Sequence, residues 1–250
     1  DVHGSRGLGD VYKRQKRGTH LSLSLALMDK VIDSDVQRIG ISATMEPLDA
    51  VAEYLVASDK RDSEINPQKV TIAKISGSRE LDLDIILPTP RFASTPIKEI
   101  LDHNVARIKE LVEAHTTTLV FVNTRNMTET FVQKLKIAGL LGVEGHHGSM
   151  DKAIRLDVEQ RLKNGFLRCV VSSSSLEMGI DIGSVDLVIQ VGSPGSIATA
   201  LQRIGRAGHQ VGGLPRARFL PISPHDLLEI VALQTGILRG SMAVSYTHLT

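Results

Sequence analysis

Two arginines three residues apart, Arg203 and Arg206, stand in the run QRIGRAGH, which closes a Gly- and Ser-rich stretch over 166–210. Residues three apart share one face of a helix, and two guanidiniums beside glycine turns offer paired donors to a polyphosphate. Other candidates follow apolar runs. Arg125 follows TLVFV at 118–122, and His147 and Ser149 follow a short run near Val143. Ser173 follows LRCVV at 167–171, and a GSPGS turn follows VDLVIQV at 185–191. Taken singly, Arg125 reads as a solvated charge, Ser173 as a helix-capping hydroxyl and the two arginines as surface ion-pair formers. Adjacent histidines without a third ligand at suitable spacing do not make a metal site, so no metal ligand is assigned. GVEGHHG and GSPGS also lack the glycine spacing of a dinucleotide fingerprint.

These residues need elements to hold them. The runs at 118–122, near 143, at 167–171 and at 185–191 alternate with helical patterns, and 216–222 offers a last strand. Runs apolar on both faces predict a parallel α/β sheet covered by helices on each side. In such sheets ligands lie beyond the carboxyl ends of the strands, where helix N-termini present unpaired N–H groups to phosphates. Thr95-Pro96 reads as a helix start, Asn123-Thr124-Arg125 turns the chain into a helix, and Ser149 reads as the cap of the next one. Before them, a helix over 16–32 and strands at 38–41, 69–75 and 81–87 are expected, and three prolines mark 88–96 as a linker.

The motifs, taken in order, resemble those of superfamily 2 helicases. RIGISAT is similar to the third motif, TLVFVNTR to the fourth, SLEMGIDIG to the fifth and QRIGRAGH to the sixth. The QRIGRAGH form with HHGSMDKAIR upstream most resembles the Lhr (large helicase-related) family of ATP-dependent DNA helicases. The resemblance implies a RecA-like parallel sheet, the helicase C-terminal lobe, at 97–222. It implies the tail of a first RecA-like lobe at 16–87, the linker at 88–96 and the start of a following domain at 223–243. It also implies an engine that couples ATP hydrolysis between two lobes to movement along single-stranded DNA. Arg206, Arg203 and Gln202 would serve catalysis, and Gly179, Asp181 and the two arginines would meet ATP. Arg125, His147, Ser149 and Ser173 would hold the nucleic-acid backbone, and Ser42, Ala43 and Thr44 would couple the two sites. Where many relatives carry a last arginine in the sixth motif, this chain has His209. Neither a G-x-x-x-x-G-K-[ST] phosphate loop nor an Asp-Glu-x-His motif occurs, so the Mg²⁺ ligands are expected in an upstream lobe and the chain alone is expected to be inactive. The rival readings are a RecA-like lobe that binds nucleic acid without catalysis, and the same engine on RNA or an RNA–DNA hybrid.

Composition narrows the classes. The net charge of +1 argues against a polybasic tail without excluding a local basic groove. Aromatics make up 3% with no Trp, which disfavours a reader built on base stacking. The single cysteine, Cys169, excludes an internal disulfide and lies in an apolar run as a buried thiol would. No apolar run approaches the ~18 residues of a membrane span, and no signal-peptide pattern is present, so a cytoplasmic protein is expected. The ends, 1–15 and 244–250, do not join the neighbouring pattern and resemble translated adapter sequence, so they are left out of the expected fold.

Overall fold

The computed structural model describes residues 20, 23–25, 27–28, 31–32, 39–40, 71–73, 80–177, 183–208 and 213–239. The chain divides into two compact units, Asp1–Gly77 with Met242–Thr250, and Ser78–Ser241. In the first, the described residues between 20 and 31 are helical, while 39–40 and 71–73, within two expected strands, lack regular structure. Ser42, Ala43 and Thr44 lie outside the described residues, as do Gly179, Asp181 and His209.

The second unit runs β1 (Asp82–Ile85), a 3₁₀ turn (Phe92–Ser94), α1 (Ile97–Glu113), β2 (Thr118–Phe121) and α2 (Arg125–Ile137). It continues with β3 (Val143–His146), α3 (Lys152–Lys163), β4 (Cys169–Ser172), β5 (Leu187–Val191), α4 (Ile197–Ile204), β6 (Arg216–Leu220) and α5 (Pro224–Leu238). The six strands form one sheet in the order β1-β6-β5-β2-β4-β3, every neighbouring pair parallel. The pleat sorts the side chains between two cores. Leu119, Phe121, Val170, Val188, Ala217 and Phe219 meet α3, α4 and α5 on one face. Val120, Val122, Val171, Ile189 and Leu220 meet α1 and α2 on the other. Parallel crossovers put helices on both faces, which is why β2, β4 and β5 are buried along their whole length. Cys169 belongs to the second core, and burial pushes its thiol up to about 12, as expected of a structural residue.

Three boundaries differ from the sequence reading. The strand expected at 81–87 as the end of a first lobe is the edge of this sheet, paired with β6. Leu83 and Ile85 pack on the first core, and Arg218 grips the Asp82 carboxylate with two bonds, Nη1–Oδ1 at 2.9 Å and Nη2–Oδ2 at 3.0 Å. The proline-rich 88–96 stretch therefore joins β1 to α1 inside one unit, anchored by buried Phe92. The helix expected to begin a third domain is α5, whose Ile230 is fully buried in the first core. Local caps also shift. Thr124 accepts from the Met127 N–H as expected, but α3 is capped by Asp151, which accepts from Ala153 N at 2.7 Å. Ser149 is thereby released for another partner.

Candidate nucleic-acid and nucleotide site

The turns after β5, β2, β4 and β3 carry, in that spatial order, Gly192–Ser196, Asn123–Arg125, Ser173–Glu177 and His147–Ser149. This is the carboxyl edge at which an open parallel sheet receives ligands.

Arg203 occupies the last turn of α4, which begins at the Ser196 cap, and is 6% exposed. Its Nη1 donates to Gln190 Oε1 at 2.7 Å, its Nε to Glu177 Oε1 at 2.9 Å and its Nη2 to the Ser173 carbonyl at 3.2 Å. Nη2 also meets Glu177 Oε1, and Cζ lies 5.2 Å from the centroid of the Phe121 ring. A buried guanidinium so fully engaged acts as a brace: it ties α4 to β5, to β2 and to the loop after β4. Arg206 was expected on the same helix face, but α4 ends at Ile204, so Arg206 stands in the following turn. Its Nε donates to the Glu177 carbonyl at 3.1 Å. Partial burial pulls its pKa below the usual guanidinium value, a cost that a neighbouring anion would offset. Both arginines thus converge on Glu177, one at the carboxylate and one at the backbone. Gln202 is half-buried beside them. Gly208 ends this turn at φ +69, and a Cβ there would come 3.0 Å from Pro215 N, so only glycine lets the two strands of chain pass.

A second group forms between α2 and the loop after β3. Arg125 Nη1 donates to Ser149 Oγ at 3.2 Å, and His147 Nε2 lies 3.4 Å from Glu129 Oε1, one helical turn further along α2. Arg125, His147 and Ser149 are therefore brought together. Ser173, in the turn after β4, the strand between β2 and β3, makes its described contact through its carbonyl to Arg203 and so belongs to the arginine group.

Several residues at this edge were not singled out from sequence. Glu177 and Gln190 hold the arginines; Glu177 stands inside the fifth motif, but its partner lies 26 residues away. Asn123 Nδ2 donates to the Ser193 carbonyl at 2.9 Å. Asp226 accepts from Ser193 N at 2.5 Å and from Ile222 N at 2.9 Å, while burial raises its pKa against the pull of those two bonds. Gly192 fits beneath them at φ +77, where a Cβ would approach Asn123 Nδ2 to 3.1 Å. His146 is wholly buried between Ser175 and Glu159. The only available signal was the placement of Asn123 and His146 at strand ends; Asp226 lies on a helix that local pattern assigned elsewhere.

Among the described residues no group of three His, Cys, Asp or Glu could hold a metal ion. The helicase conserved C-terminal domain family matches residues 102–210. The chain is 43% identical over 218 residues to the ATP-dependent helicase Lhr-Core of Methanocaldococcus jannaschii, covering 87% of this chain and 25% of that protein. It is 33% identical over 273 residues to the Lhr helicase/uracil glycosylase of Escherichia coli, covering 91% of this chain and 17% of that one. The chain thus spans a quarter or less of the length of these curated relatives. Among solved structures, the Mycobacterium smegmatis helicase Lhr bound to ssDNA and AMP-PNP superposes with a TM-score of 0.81 at 38% identity, over 92% of this chain and 30% of that one. The chain belongs to the Lhr family of superfamily 2 helicases and carries the RecA-like helicase C-terminal domain.

Proposed function

We propose that this chain is part of an ATP-dependent helicase or translocase that steps along single-stranded DNA, its 78–241 unit serving as the second motor lobe. The observation that supports this reading is the strand-end edge itself. There the Arg203–Glu177–Arg206 cluster and the Arg125–Ser149–His147 group stand on neighbouring turns of one sheet. Arg206 meets the γ-phosphate of ATP held by another lobe, and Arg203 positions it through Glu177. Gln202 supports the same phosphates, and Gly179 and Asp181 approach the ribose side. Arg125, Ser149, His147 and the turn at Ser173 hold phosphates of the DNA backbone, which fixes position without reading sequence. Ser42, Ala43 and Thr44 couple the nucleotide to strand separation. The cationic cluster fits the phosphates of ATP. No described residues are assigned to Mg²⁺, which neutralises phosphate charge when bound and draws its ligands from the other lobe. The reading places the protein in the cytoplasm; among the described residues no helix is long and apolar enough to cross a membrane.

The test is fluorescence anisotropy of labelled single-stranded oligonucleotides against the 250-residue chain across a salt series. Arg125→Ala should weaken binding to all sequences alike and flatten the log Kd against log salt slope by about 0.7, the share of one single-strand phosphate contact. A sequence-selective loss, or an unchanged slope, would remove Arg125 from the backbone contact. Parallel DNA and RNA oligonucleotides identify the preferred strand.

A further inference from the structure

The His146 side chain is 1% exposed, yet both ring nitrogens are engaged. Nδ1 lies 2.6 Å from Ser175 Oγ and Nε2 lies 2.9 Å from Glu159 Oε1. Ser175 Oγ also lies 3.0 Å from the His146 carbonyl and 3.3 Å from Ser172 Oγ. The ring therefore joins three elements: the end of β3, the loop after β4, and α3. Ser175 is two residues before Glu177, the residue that engages both Arg203 and Arg206. His147, the next residue after His146, begins the loop that meets Arg125 and Glu129.

We propose that His146 is a positioning residue that links the His147–Ser149 loop to the Ser173–Glu177 loop, so that a phosphate bound at the first is transmitted to the arginines held by the second. The proposal rests on the nucleic-acid reading above for the identity of that phosphate, but the linkage itself is a property of these residues. A carboxylate only accepts, so the ring proton belongs on Nε2 facing Glu159, which leaves Nδ1 to accept from the Ser175 hydroxyl. Desolvation holds the ring below its ordinary value of 6.5, opposed by Glu159 and assisted by Arg155 and His147. The neutral ring's contribution to stability is therefore full above about pH 6.5 and is lost as pH falls through the folded-state value. Protonation turns Nδ1 into a donor, and the Ser175 hydroxyl must then swing toward the His146 carbonyl or Ser172. That rotation reverses the bond between the ring and Ser175 and so changes the hydrogen bonding of the residue two before Glu177.

The 250-residue chain itself provides the test, by hydrogen exchange over 173–177 and 203–206 together with ¹⁵N NMR of the histidine rings. The Nε2–H tautomer of His146 is expected, titrating below 6.5. Exchange in both segments should rise about tenfold through that titration, as for opening of a local unit, while β5 and β6 stay protected. Ser175→Ala cuts the link but leaves the β3–β4 ladder, so it should abolish the pH step in folded protein; Ser175→Thr, which keeps the hydroxyl, should restore it. Adding oligo(dT) should protect 203–206 in the wild-type chain and not in Ser175→Ala, although both bind. A folded Ser175→Ala variant that keeps the pH step, or that keeps the DNA-induced protection of 203–206, overturns the proposal. Should the wild-type chain fail to bind oligo(dT), the nucleic-acid reading falls, while the tautomer and the pH step still decide whether His146 makes the link.

Discussion

Arg203 and Arg206 are the same side chain three residues apart, and burial separates their roles. Arg203 is enclosed, with a carboxylate, an amide oxygen and a carbonyl on its fork and an aromatic face beside it. Removing it leaves Glu177 and Gln190 without their partner in a nearly dry site. Arg203→Ala should therefore cost about 3 kcal/mol, the low end for breaking a buried pair, read as a shift of the urea midpoint. Arg203→Lys should recover little, because an ammonium cannot serve three acceptors in the plane of the fork. Arg206 is half-exposed, and its described bond to Glu177 is at the backbone carbonyl. Arg206→Ala should leave the urea midpoint near that of the wild type. In the complete helicase it should lower kcat for ATP by at least about a hundredfold, as loss of a charge-stabilising arginine does. A folded Arg206→Ala helicase with near-normal DNA-stimulated hydrolysis would reassign the residue.

At the scale of elements, α5 closes the lobe. Ser223 caps it, accepting from Asp226 N at 3.2 Å with Pro224 in the first turn. The Asp226 carboxylate then reaches out of the helix to the Ser193 and Ile222 N–H groups, fastening the turn after β5 to the end of β6. Gln234 Nε2 donates to the Leu83 carbonyl at 3.2 Å, so the same helix also holds the edge strand β1. Asp226→Ala strands two backbone donors near the core. It should destabilise the unit by about 2–4 kcal/mol at neutral pH, measured by urea unfolding, with hydrogen exchange rising first around Ser193. Wild-type stability in that variant would mean that water satisfies both donors and that α5 is held by its apolar face alone. A deletion of α5 carries a different expectation: loss of Ile230 opens the first core beside Ala217 and Phe219, and β1 loses its cover.

At the scale of the whole molecule, the 78–241 unit holds one six-stranded sheet with two separate cores, which is enough to fold by itself. On the proposed reading its strand-end edge completes a phosphate site, yet the 250 residues contain no G-x-x-x-x-G-K-[ST] loop to found one. Steady-state phosphate release by the purified chain, with Mg²⁺ and single-stranded DNA present, should therefore not exceed the buffer rate. Release that co-purifies with the chain and disappears in Arg206→Ala would refute this.

The sequence alone determined what depends on near neighbours. Apolar runs of strand length between helical periods specified a covered parallel sheet, and Thr124 announced the start of α2 because a cap bonds within three residues. The motif order placed the arginine, histidine and serine turns on strand ends. Tertiary structure decided what depends on partners distant in the chain. Whether the strand at 82–85 ends one sheet or edges another is settled by Arg218, 136 residues from Asp82. That Arg203 is engaged from within the lobe follows from Glu177 and Gln190, which no local pattern pairs with it. His146 and His147 are adjacent and chemically identical in sequence; the pleat sends the first into the packed layer with Ser175 and Glu159 and leaves the second at the loop. Long-range hydrogen bonds select among roles that residue type leaves equal, because a buried polar group must find its partner wherever the fold brings one.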